Sequence, residues 1–287
     1  MATNISKKLA YKASKNFYGL FYKYEICRPS LVILKKVIIK ITNFIRFCKT
    51  KYLEDKNKID VFDSIPEVAI NSEVNNKLDE YKDYFLENQF CYIENIFNEN
   101  YYLNLKNTFP DKNYFYCPTD PLKNYNFGFR YNIDDNYYHY QLKNYYLIKK
   151  FPILENLYKY IQNSKEFSSF INELISKKNF RNISILSSYA NEKSFLIPHM
   201  DSVVDDKSIP NIINIIYFVD GLDDTINSGG TGIYSDNEFK DPIFIPSKIK
   251  NSMLIYNSKS QFYHGFNFMK KNSYRFAITC EFKEDSK

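Results

Sequence analysis

A chain of 287 residues with 44% hydrophobic and 25% charged residues can bury a core, which excludes wholesale disorder; seven Gly and ten Pro exclude collagen-like repeats. The formal net charge of +6 is uneven: residues 1–60 hold fourteen Lys or Arg against four acids, leaving 25 bases against 29 acids in the rest. The body is therefore acidic, and a nucleic-acid partner is not expected.

In chain order, residues 1–60 are expected to form a basic helical extension. On a helical wheel Ile33, Leu34, Val37, Ile38, Ile41, Phe44, Ile45 and Cys48 share one arc, opposite Lys35, Lys36, Lys40, Asn43 and Arg46. This wheel predicts either peripheral contact with an anionic membrane through residues 30–49 or a helix packed on the body with its lysines in water. No run approaches the roughly 20 apolar residues of a membrane span. Five scattered cysteines without CxxC spacing fit a reducing, cytoplasmic setting.

Residues 61–287 read as one α+β domain. Helices are expected over 74–90 and 98–109, with a short strand at 91–97 between them, and a further helical stretch over 151–178. The aromatic segment 114–146, holding Arg130 and His139, has no clear assignment. Beyond residue 180 the period changes to short strands near 182–189, 194–199, 211–219, 231–235, 242–246, 252–256, 261–268 and 273–282. Turn residues such as Asp220-Gly221, Gly229-Gly230 and Lys271-Asn272 punctuate them. This pattern predicts a jelly-roll core over about 180–283, buttressed by helices.

Two of the three histidines stand out. His199 and Asp201 are two apart at the end of a β-like run, so an extended backbone would aim both at one point. His264 lies on a later β-like run. Two imidazoles and one carboxylate with open faces are the donor set of non-haem Fe(II) sites. Arg275 follows in the last strand, where alternation puts Arg275, Ala277, Thr279 and Glu281 on one face. A guanidinium inside a barrel calls for an anion, such as a ligand carboxylate.

His199-x-Asp201, His264 and Arg275, with the Gly229-Gly230 turn and the run 252–256, resemble the Fe(II)/2-oxoglutarate-dependent oxygenases, in their prolyl-hydroxylase-like and phytanoyl-hydroxylase-like branches. The resemblance covers roughly residues 74–283. It implies a double-stranded β-helix (jelly-roll, cupin-like) core, Fe(II) held by His199, Asp201 and His264, and 2-oxoglutarate anchored by Arg275, with O2 as oxidant. The implied reaction is hydroxylation of an unactivated carbon of a small molecule or side chain, releasing succinate and CO2. Substrates in the family are selected by loops such as 202–210 and 220–228. Many members carry a hydroxyl two residues after the arginine; here that residue is Ala277. Tyr189 is the expected substitute, with Ser273 and Thr279 as others. Asp201 disfavours the halogenases, which lack that carboxylate. Two rivals stay open: a zinc-dependent hydrolase on the same donors, and a non-catalytic jelly-roll binding module.

Overall fold

Asn71 starts the described helices by accepting a hydrogen bond from the Glu73 amide at 3.0 Å, which satisfies one orphan donor of α1 (Ser72–Asn76). The computed structural model describes residues 66–111, 151–177, 179–191, 194–201, 211–222, 229–267 and 269–284. The N-terminal extension with its amphipathic wheel, Arg130, His139, loop 202–210 and residues 223–228 lie outside the described residues.

The helix expected over 74–90 is two. Lys77 leaves the helical conformation between α1 and α2 (Leu78–Asn88), and Gln89, at φ 62°, closes α2 in the left-handed region. Strand β1 (Phe90–Glu94) follows. Asn98 then caps α3 (Glu99–Thr108), accepting from the Tyr101 amide at 2.8 Å. The stretch 151–178 is likewise split. Pro152 opens α4 (Pro152–Asn163), and Ser164 is extended. Its hydroxyl then accepts from the Phe167 amide to start α5 (Lys165–Leu174).

Eight strands follow: β2 (Phe180–Asn191), β3 (Leu196–His199), β4 (Ile212–Gly221), β5 (Gly232–Tyr234), β6 (Pro242–Phe244), β7 (Ser252–Asn257), β8 (Tyr263–Phe266) and β9 (Tyr274–Glu284). Each overlaps a run expected from the sequence. They form two antiparallel sheets, one ordered β1-β7-β4-β9-β2 and the other β3-β8-β5-β6.

Alternation assigns the two faces of the larger sheet different work. Its outer face carries Tyr217, Ser187 and Phe282 towards the helices. Phe97 lies edge-on to Tyr217 at 5.0 Å and to Tyr101 at 5.9 Å, Tyr158 and Ser187 hydroxyls lie 2.6 Å apart, and Phe167 meets Phe282 at 6.1 Å. Its inner face contributes Ile216, Phe218, Leu254, Tyr256 and Ala277 to a buried cluster. Ile233 of the smaller sheet and Phe262 complete it, so a core joins the two sheets. Burying each large side chain is worth about 1.5–3 kcal/mol. Among the described residues no helix is long and apolar enough to cross a membrane.

Candidate metal and anion site

The smaller sheet delivers both histidines. β3 pairs antiparallel with β8, and His199 stands directly opposite His264, with ring centroids 4.3 Å apart. Non-hydrogen-bonded and hydrogen-bonded pairs alike bring opposing side chains close on one face, so the register fixes this meeting. Both rings are buried, His199 to 9% exposure and His264 to 5%.

Asp201 arrives by a different route from the one its spacing predicts. β3 ends at His199, and Asp201 lies past it in a bend rather than on the strand. The carboxylate still converges: Oδ1 is 3.5 Å from Nε2 of His199 and 3.5 Å from Nε2 of His264. One donor atom from each residue lies within 4.8 Å of the others. What holds the carboxylate is Asn214 on β4, whose amide Nδ2 donates to Oδ2 at 2.5 Å, leaving Oδ1 to the histidines. Two imidazole nitrogens and one carboxylate oxygen on one side of a point fit a divalent metal with open coordination positions.

Arg275 sits on the inner face of β9 and is 5% exposed. Its Nη1 donates to the Gly229 carbonyl at 2.5 Å and to the Thr231 hydroxyl at 3.3 Å. Its guanidinium carbon lies 4.2 Å from the centroid of Phe266. Phe266 is two residues beyond His264 on β8, so both point to one face. The arginine therefore faces the same interior surface as His264. Gly229 has φ +83°, and a Cβ there would meet Met269 Sδ at 2.8 Å, so the turn that offers its carbonyl to Arg275 favours glycine.

Tyr189 does not join this group. Its ring packs on Phe276 at 4.9 Å, and its neighbour Ala190 is the one in register with Arg275. Strand alternation thus puts Tyr189 on the outer face, away from the guanidinium. Ala277, two residues after the arginine, is fully buried, and a hydroxyl that accepts from the arginine is that of Thr231.

Sequence reasoning missed Asn214, Thr231 and Tyr256, whose ring lies 4.6 Å from His264. Asn214 had a signal: it is the one polar residue inside the run Ile212–Val219 apart from Tyr217. Glu281, placed on the arginine's face by alternation, stands opposite Asn214 in the β4–β9 register. Burial pushes its carboxyl above the ordinary range, and the negative charge of Asp201 adds to the effect.

No protein-family model and no curated protein matches the chain. Solved structures do. A prolyl hydroxylase from Trichoplax adhaerens, in complex with a hypoxia inducible factor oxygen degradation domain peptide, superposes with a TM-score of 0.51 at 13% identity, over 75% of this chain and 94% of that one. AviO1 from Streptomyces viridochromogenes gives 0.50 at 11% identity, over 72% and 95%. An oxidoreductase of the 2OG-Fe(II) oxygenase family from Burkholderia pseudomallei gives 0.49 at 8%, over 72% and 89%. By its fold, this chain is similar to that prolyl hydroxylase and to AviO1.

Proposed function

We propose that this protein is an Fe(II)- and 2-oxoglutarate-dependent oxygenase built on a double-stranded β-helix, hydroxylating an unactivated carbon of a small molecule or side chain. One observation carries the reading. The three metal donors and a buried arginine face the same interior, linked through His264 and Phe266 on one short strand. A hydrolase built on the same donors leaves that arginine without a task.

His199 and His264 offer Nε2 lone pairs, and Asp201 offers Oδ1 while Asn214 occupies Oδ2. Bound there, iron supplies the activation of O2 that breaks the substrate's C–H bond and converts 2-oxoglutarate to succinate and CO2. Arg275 takes the distal carboxylate of 2-oxoglutarate, and the Gly229 carbonyl and Thr231 hydroxyl fix Nη1 so that the guanidinium is presented in one orientation. Phe266 and Phe218 flank the guanidinium and keep water from its face, which strengthens the charge pairing.

The test is anaerobic addition of Fe(II) and then 2-oxoglutarate to the apo protein, followed by visible absorption and by succinate release under air. A charge-transfer band is expected in the parent, lost in His199→Ala and requiring at least about tenfold more 2-oxoglutarate in Arg275→Ala. No band in folded, iron-loaded protein would overturn the proposal. Hydrolysis supported by zinc would then favour the hydrolase, and binding without turnover the silent module.

A further inference from the structure

A single rung crosses the inner face of the larger sheet at the level of the metal donors. Asn214 on β4 is in register with Tyr256 on β7 and with Glu281 on β9, and Glu281 is in register with Ser184 on β2. His264 lies against Tyr256, and Asp201 is bound to Asn214. The next position along the rung is Glu281. It therefore stands beside the donors on the β9 and β2 side.

That side is also the open one. On the inner face of β2, Ser184 and Leu186 are half-buried, whereas Ser188 and Ala190 are buried. On β9, Glu281 and Thr279 are half-buried, whereas Ala277 and Arg275 are buried. The interior closes around Arg275 and opens around Glu281. Among the described residues no cation or hydrogen-bond donor pairs with the Glu281 carboxyl, and the charge of another acid, Asp201, acts on it. A carboxyl half-removed from water with an acid beside it is stabilised by a positive partner.

We infer that Glu281 is a specificity residue at the mouth of the site and that the substrate presents a cation, an ammonium or guanidinium group, to it. The inference rests on the oxygenase reading and names its substrate class. Formal charge supports it. A divalent metal, dianionic 2-oxoglutarate, Asp201 and Arg275 cancel, and Glu281 leaves one negative charge for the substrate to balance. Neutral isosteres would leave that carboxylate desolvated and unmatched, which is how the site would reject them.

The experiment uses full-length protein loaded with Ni(II) and 2-oxoglutarate, titrated calorimetrically with hexylamine and hexylguanidine and with the neutral isosteres hexanol and hexylurea. Parent protein is expected to bind the cations at least about tenfold more tightly than the isosteres, and Glu281→Gln to abolish the difference. Equal binding of cations and isosteres, absence of cation binding, or discrimination that survives in Glu281→Gln would overturn the inference. A fall in Ni(II) affinity in Glu281→Gln larger than its fall in cation affinity would assign Glu281 to the metal and overturn it as well. Failure of the loaded state itself, with Ni(II) or 2-oxoglutarate not binding the parent, would instead remove the oxygenase reading. A matched thermal midpoint for the two proteins establishes that the variant is folded.

Discussion

The amide of Asn214 donates to Asp201 Oδ2 from a buried position on β4, so the carboxylate that bears the site's charge is fixed from behind while its other oxygen faces the histidines. Partners that orient a metal-binding side chain typically govern metal affinity by about 10–100-fold. Asn214→Ala is therefore expected to weaken Co(II) or Ni(II) binding by about tenfold or more in direct titration, with a cost of about 1–2 kcal/mol in urea unfolding for the lost bond. Asn214→Asp, which sets a second negative charge against Oδ2, should lose more metal affinity at neutral pH than at pH 4. Unchanged affinity in both variants would show that Asn214 does not place Asp201. The meeting of His199, Asp201 and His264, and the buried Arg275 near them, was legible in the sequence because these residue types are rare and their spacing suits strand ends. Tyr189 was not, because whether a strand residue faces inward depends on its pairing: β2 meets β9 with Ala190 opposite Arg275, and one position decides the face.

At the level of elements, apolar alternation and turn residues carry the strand pattern, and the strands after residue 180 fall where that pattern puts them. The helices were read as too long for a specific reason. Periodicity runs on through Lys77 and Ser164, whereas the backbone breaks there, and at Ser164 the hydroxyl that caps α5 is worth more than a continued turn. The strands also settle the chemistry of the two described cysteines. Cys91 on β1 and Cys280 on β9 are 1% exposed, and burial pushes the Cys91 thiol up to about 12 and Cys280 still higher. Neither should react with iodoacetamide at pH 8 until the protein unfolds, as peptide mass mapping would record; labelling of native protein at rates seen in urea would contradict this. The linkage has a definite sign. The unfolded thiol ionises near 9.0 and the folded Cys91 thiol near 12, so as pH rises the unfolded chain sheds its proton first. Its contribution is complete below pH 9 and declines through pH 12, by about 1.4 kcal/mol for each pH unit in that window. Cys91→Ala should flatten the fall, measured as urea midpoints between pH 8 and pH 10.

For the molecule as a whole, the division of labour between the two sheets explains why so few residues suffice for the site. The larger sheet is packed on its outer face as well as its inner one, through contacts such as Phe97 with Tyr217 and, from helix α4, Tyr158 with Ser187. Its inner face is then free to carry polar groups, Asn214, Arg275 and Glu281, in positions that an apolar core would otherwise claim. The smaller sheet brings the histidines across to meet them. The graded burial of β2 and β9, closed around Arg275 and open around Glu281, gives this arrangement a direction in time. If Arg275 holds the far carboxylate of an acid and Glu281 a larger guest, the acid would lie deeper than the guest and would be held in by it. On the proposed oxygenase reading, addition and release would then be ordered, 2-oxoglutarate entering before the guest and succinate leaving after it. Rapid-mixing exchange of bound 2-oxoglutarate should slow when hexylguanidine occupies the mouth, and exchange at an unaltered rate would mean that the two ligands come and go by separate doors.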